Sequence, residues 1–201
     1  MSNIILDKGI TISHISNKKI AIIGYGNQGR AQALNLKDSG LDLKVGLRKN
    51  SKSKQKAERD QLDWMEIKDA VKWADLISIM LPDKVAPEVF RNDILDNLNS
   101  GDTLLFSHGY NIHYKLIIPP ANVNVVMVAP SAGGNIVRTE YQKNYGVPAL
   151  IAVEQDKTNN ALDIAKSYAQ GIGSTRVCIF MSTFKEETET DIFGEQAILT
   201  G

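Results

Sequence analysis

Short, almost wholly apolar runs alternate along this chain with longer segments that mix apolar and charged positions. Ile20, Ala21, Ile22 and Ile23 form such a run, ended by Gly24. Residues 27–39 are mostly helix-compatible, with Ala31, Leu34 and Leu36 available for packing and Gly40 as a stop, and residues 41–47 return to strand character. Strand, glycine turn, helix, strand is a βαβ unit. The alternation continues. Residues 64–74 predict a helix with Ile67, Ala70 and Val71 inward, residues 75–81 a buried strand ending at Pro82, and residues 85–98 a mixed but helix-compatible segment. Residues 103–107, 123–129 and 148–153 read as three further strands, 156–170 as a helix, 176–180 as a last strand and 185–200 as a final helix. Residues 1–17 have no steady period and read as a lead-in packed against the domain.

Strands apolar on both faces are buried on both. The pattern therefore predicts an α/β fold with a doubly wound, largely parallel sheet and helices on both faces. The 201 residues suffice for a sizeable core and suit one domain or two small ones. There is no internal repeat, low-complexity tract or flexible linker, so one domain is expected, with the final helix belonging elsewhere.

Composition narrows the partners. The chain is 43% hydrophobic and 23% charged, as an ordinary globular protein is, and its net charge is zero, which gives no case for nucleic acid. The local basic run over residues 48–56 reads on its own as a solvated surface. Cys178 is the single cysteine, so neither an intrachain disulfide nor a cysteine zinc cluster is available, and a packing role in a buried strand is expected. No run approaches the length of a membrane span, and the opening residues lack a basic, then apolar, export pattern. A soluble, cytoplasmic protein with no membrane partner is the expectation.

Four groups of residues carry candidate chemistry. Gly24-Tyr25-Gly26-Asn27-Gln28-Gly29 follows a strand and opens a helix, the context a dinucleotide turn needs. Its first glycine permits the tight turn, its second lets a pyrophosphate approach the backbone and its third allows close packing. A merely structural glycine turn is the alternative. After the next strand, Arg48, Ser51 and Ser53 offer donors for a 2′-phosphate where an NAD site would place a carboxylate, which favours NADPH over NADH. His108, at the end of an apolar strand, is a candidate proton carrier or polar substrate contact, with a structural role equally open; His113 lies nearby. Asp191 and Glu195, four apart on the final helix, suit Mg²⁺. The competing reading is a solvent-facing acidic helix, since Glu186, Glu187 and Glu189 precede them.

Together these residues resemble the ketol-acid reductoisomerase (acetohydroxyacid isomeroreductase) family, N-terminal domain. The resemblance covers nearly the whole chain. It runs through the glycine turn, Val45-Gly46-Leu47-Arg48, Leu81-Pro82-Asp83, His108-Gly109-Tyr110-Asn111-Ile112-His113 and residues 146–153, and is most specific over residues 183–196. It implies a Rossmann-like NADP-binding domain over residues 1–182, with residues 183–201 as the first segment of a truncated helical, knotted, metal-binding domain. It further implies NADPH and two Mg²⁺ ions as cofactors, and conversion of 2-acetolactate or 2-aceto-2-hydroxybutyrate to 2,3-dihydroxy-3-alkyl acids in valine and isoleucine biosynthesis. His108 is then the active-site histidine. Asp191 and Glu195 are metal ligands, Arg48, Ser51 and Ser53 hold the 2′-phosphate, and Gly134 joins Gly24, Tyr25, Gly26, Asn27, Gln28 and Gly29 around the cofactor. A homo-oligomer, or a C-terminal domain on another chain, would complete the site.

Two positions depart from the family pattern. Ser131 stands where a lysine is usual and Met181 where a carboxylate is usual. A serine brings no positive charge, so these departures leave two alternatives: a non-catalytic NADP-binding regulatory or interaction domain, and a small keto-acid reductase without isomerase activity.

Overall fold

The computed structural model describes residues 4–5 and 9–200, with side chains as far as Phe193. A nine-stranded sheet runs through it in the order β1-β9-β8-β7-β6-β5-β2-β3-β4. Its central strands are β2 (Ile20–Ile23), β3 (Leu43–Leu47), β5 (Leu76–Ile79), β6 (Thr103–Phe106) and β7 (Asn124–Pro130). These pair in parallel, as does the short edge strand β4 (Trp64–Glu66) with β3. Beyond β7 the direction reverses: β8 (Ala149–Gln155) is antiparallel to β7, β9 (Ile179–Met181) is parallel to β8, and β1 (Ile4–Ile5) closes the edge antiparallel to β9.

The period of two along β2 builds both core layers. Ile20 and Ile22 join Ala33 and Leu36 of α1 (Asn27–Asp38) and Ile164, Ala165 and Tyr168 of α7 (Ala161–Gly171) on one face. Ala21 and Ile23 join Ile67, Ala70 and Val71 of α3 (Ile67–Trp73) and Ala86 and Val89 of α4 (Ala86–Val89) on the other. The Rossmann-like, doubly wound, largely parallel architecture with helices on both faces is therefore the one the apolar pattern predicts. The remaining helices are α2 (Lys54–Arg59), α5 (Tyr110–His113), α6 (Gly134–Gln142) and α8 (Phe184–Thr200).

Several boundaries differ from the sequence reading. Residues 64–66 are strand rather than the start of a helix, because Trp64, Met65 and Glu66 fall in register with Val45, Gly46 and Leu47. The mixed segment 85–98 is a composite of α4, a π-helical turn at Phe90–Ile94 and a 3₁₀ turn at Leu95–Asn97. Helix α7 begins at Ala161 rather than 156. The preceding residues are held in a turn by Asn124 Oδ1, which accepts from the backbone N–H groups of Lys157 and Thr158 at 2.8 and 3.1 Å. The lead-in contributes β1, and Cys178 lies half-buried just before β9 rather than inside a strand.

Candidate functional site

A cavity of about 450 Å³ opens between the C-terminal ends of β2 and β5, the strands at which the sheet order changes direction. The glycine turn forms its floor. Gly24 has φ +98°, and a Cβ there would lie 2.7 Å from the Met80 carbonyl oxygen. At Gly29 a Cβ would lie 2.6 Å from the Gly24 carbonyl oxygen, so helix and strand meet too closely for any side chain. Gly26, by contrast, has nothing within 4 Å of a built Cβ. The outer glycines thus satisfy sterics inside the fold, and the middle one leaves room on the cavity side. No side chain caps α1 and no carboxylate stands in its first turn, so its positive dipole end is not neutralised locally.

At one end of the cavity Arg48, Ser51 and Ser53 line the wall, and none is acidic. A turn closed by Ser51 N–H on the Arg48 carbonyl (2.9 Å) and by Ser53 N–H on Ser51 Oγ (3.2 Å) gathers the three side chains after β3.

At the other end stands His108, delivered by β6. Its Nδ1 lies 2.9 and 3.1 Å from the two carboxylate oxygens of Glu187 on α8. Glu187 is only 5% exposed, and it also accepts the Gly109 backbone N–H at 2.7 Å. A carboxylate on Nδ1 fixes the proton there and leaves Nε2 as the working nitrogen. Nε2 faces the Asp83 carboxylate at 3.9 Å, and Asp83 accepts from Asn111 Nδ2 at 3.0 Å. The hydrogen bond to Glu187 raises the His108 pKa above the ordinary histidine value; burial opposes this, and the charges of Glu187, Asp83 and Asp191 add to it.

The closeness of α8 has a simple cause. Gly109 has no side chain, and a Cβ there would run into the Phe184 carbonyl oxygen and then Thr188 Oγ1. The Phe106 and Phe184 rings meet edge-on with centroids 6.3 Å apart, anchoring the first turn of α8 in the core. Asp191 follows one turn after Glu187, 52% exposed, with an oxygen 3.8 Å from His108 Nδ1. The Glu195 side chain lies outside the described residues. Among the described residues no group of three or more His, Cys, Asp or Glu is arranged to hold a metal ion.

Tyr25, Gly24, Gly26, Asn27, Gln28, Arg48, Ser51, Ser53 and His108 therefore surround one cavity. Gly29 lies beneath the turn. Gly134 is not among the lining residues; its missing Cβ makes room for the Asn27 carbonyl oxygen. His113 ends α5 with its ring tilted 59° against Tyr114, and it is not among the lining residues. Ser131 is exposed, on a loop whose Ala132 carbonyl accepts from Gln28 Nε2 at 2.8 Å.

From sequence alone, Glu187 counts only among the acids that support the competing reading of a solvent-facing helix. Its spacing of four from Asp191 carried the signal, since both then share a helix face. Gln32 left no such trace. It is fully buried in α1, with Nε2 on Ser107 Oγ (2.9 Å) and Oε1 accepting from Tyr168 (2.9 Å), and ties the helix that follows the glycine turn to the loop that carries His108.

The acetohydroxy acid isomeroreductase NADPH-binding domain model matches residues 14–178. A ketol-acid reductoisomerase (NADP(+)) of Methanocaldococcus jannaschii is 53% identical over 201 residues, covering 100% of this chain and 61% of that protein. One of Chloroherpeton thalassium is 53% identical over 187 residues, covering 93% and 55%. This chain thus spans about three fifths of the length of the curated relatives it matches. Among solved structures, an NADH-preferring ketol-acid reductoisomerase from an uncultured archaeon superposes with TM-score 0.94 at 40% identity, over 97% of this chain and 60% of that one. A semialdehyde dehydrogenase NAD-binding protein from Cupriavidus necator shares the fold alone, with TM-score 0.70 at 15% identity over 85% and 65%.

Proposed function

Because the chain belongs to the acetohydroxy acid isomeroreductase family through its NADPH-binding domain, we propose that it serves ketol-acid reductoisomerase chemistry. In this reading 2-acetolactate or 2-aceto-2-hydroxybutyrate undergoes alkyl migration and NADPH reduction to a 2,3-dihydroxy-3-alkyl acid. The observation that carries the proposal is a single cavity with the glycine turn and phosphate donors at one end and the carboxylate-held His108 at the other.

NADPH fits the residues present. The glycine turn leaves space for a pyrophosphate at Gly26, and Arg48, Ser51 and Ser53 supply the donors a 2′-phosphate takes. When bound, the dinucleotide supplies the hydride that reduces the rearranged 2-keto acid. The NADH preference of the archaeal neighbour belongs to that protein; Arg48 and the two serines are the reason to propose NADPH here.

His108 is proposed to hold or move the proton of the substrate hydroxyl at Nε2. Glu187 orients the ring through Nδ1 and stabilises its charged form as the proton arrives.

The Mg²⁺ requirement rests on Asp191 and Glu195, hard oxygen donors one helical turn apart. The described residues do not complete a coordination set, so no step is derived through the metal. We propose that the set is completed outside them, with α8 opening a helical unit over residues 183–201 distinct from 1–182. Assembly with a second copy or another chain, and a cytoplasmic location, belong to the same proposal. Among the described residues no helix is long and apolar enough to cross a membrane.

The exposed Ser131, where relatives are expected to present an ammonium, favours a second reading: NADPH binding without turnover. NADPH oxidation with Mg²⁺ separates the two when 2-acetolactate is compared with 3-hydroxy-3-methyl-2-oxobutanoate. Oxidation of NADPH by both substrates supports the isomeroreductase. Oxidation by the rearranged substrate alone leaves a keto-acid reductase. Binding of NADPH with oxidation by neither overturns the catalytic reading for this chain.

A further inference from the structure

On the proposed reading the loop 48–53 takes the 2′-phosphate and the glycine turn the pyrophosphate of one dinucleotide, so their separation must be fixed. Hydrophobic packing does little to fix it. Helix α2, which follows the loop directly, buries only one side chain, Ala57. Its far end is held by charge instead. Asp60, the residue that ends α2, accepts Arg30 Nε at 2.6 Å and Nη2 at 2.7 Å, and the Tyr25 hydroxyl at 2.8 Å. Tyr25 belongs to the glycine turn and Arg30 to the first turns of α1. Lys37, further along α1, donates to the Asp60 and Gln61 carbonyl oxygens, both at 2.9 Å. At the near end of α2, Lys54 donates to the Lys49 carbonyl and its ammonium lies 3.9 Å from the Trp64 ring centroid.

We propose that Asp60 is a positioning residue for the phosphate end of the cofactor: by binding Tyr25 and Arg30 together, it sets the distance between the loop 48–53 and the glycine turn. The charge states suit this task. Asp60 is held below the usual carboxylate range, chiefly by Arg30, while burial and then Asp60 itself push the Tyr25 hydroxyl up, so a neutral phenol donates to a charged carboxylate. Asp60 is absent from the cavity lining and acts through the loop. A bidentate arginine–carboxylate pair suits such a brace because it fixes angle as well as distance.

The inference rests on the reading of Arg48 and its loop as the 2′-phosphate site. The experiment measures dissociation constants of NADPH and NADH for the chain and for Asp60→Ala, Arg48→Ala and the double variant. Asp60→Ala is expected to weaken NADPH about tenfold and NADH less than about threefold, as misplacement of preorganised donors does. In the Arg48→Ala background the Asp60 effect on NADPH is expected to vanish, because the loop can no longer report its position. Equal weakening of both dinucleotides, or a full Asp60 effect surviving in the double variant, overturns the inference. A shifted NADPH-to-NADH ratio for Arg48→Ala with none for Asp60→Ala overturns the inference alone. An unshifted ratio for Arg48→Ala overturns the phosphate reading and the inference with it. Should Asp60→Ala not fold, Tyr25→Phe and Asp60→Asn each remove part of the brace and are expected to shift the ratio in the same sense, by about threefold.

Discussion

The two ends of the cavity are held in different ways. At the glycine turn the backbone meets itself: Gly24 lies against Met80, Gly29 against Gly24 and Gly134 against Asn27, with contacts that leave no room for a methyl group. At His108 the geometry depends on one helix and one carboxylate, Glu187, reaching across from α8. The first end is preorganised by the sheet. The second is organised by docking, and it can be lost while the first survives.

The largest expected effect tests that independence. Glu187→Gln keeps the shape but removes the charge behind His108, and is expected to cut turnover by roughly 10²–10⁴-fold, the usual contribution of a positioned acid–base group. NADPH affinity is expected to stay within about twofold, since no cofactor-end contact is touched. A parallel loss of NADPH binding would show that the ends are coupled, as the Gln32 bridge to Ser107 permits.

A smaller effect sharpens the contrast from the other side. Gly134→Ala drives a methyl into the Asn27 backbone and is expected to cost about 1–3 kcal/mol. Thermal melting should fall by about 2–4 °C per kcal/mol, with weaker binding of both dinucleotides. Gly26→Ala meets no protein atom within 4 Å, so it should leave the melting temperature unchanged while weakening the dinucleotide. A melting loss at Gly26 equal to that at Gly134 would break the division of roles among the glycines.

The smallest effect is a pH dependence. The Asp60 carboxyl is depressed in the folded state, first by the hydrogen bond from Arg30. Its contribution to stability is therefore present above the ordinary carboxylate pKa, about 3.9, and is lost as pH falls through the lower folded value. Asp60→Asn is expected to lower stability near neutrality and to flatten the acid limb of a chemical-denaturation series. An unchanged acid limb would mean that the Arg30 pair contributes nothing net, as many exposed pairs do.

The gathering of the glycine turn and the loop 48–53 around one cavity was largely legible in the sequence because its information is local. Three glycines at fixed spacing after an apolar strand, then Arg48 after the next strand, specify both the turn and its neighbour. The histidine end was legible in part: the end of β6 exposes His108, but nothing near it announces Glu187, which lies on the last helix and reads as one acid among several. Gln32 was hidden for a related reason, because a polar residue on the core side of a helix resembles one on its solvated face until a partner such as Tyr168 is placed. Boundaries failed where long-range register overrode local propensity, as at Trp64, which is helix-compatible alone but pairs beside Val45.

The pairing of β1 with β9 has a consequence for assembly in time. Ile4 and Ile5 register with Phe180 and Ile179, so the first described strand cannot find its neighbour until the chain has been made past residue 180. Closing so long a loop is slow compared with forming the adjacent βαβ pairs around β2. Helix α8 follows β9 directly, and with it comes Glu187. A nascent chain would therefore form the glycine turn before it could hold His108, and the sheet edge and the His108–Glu187 contact would be completed in the same late event.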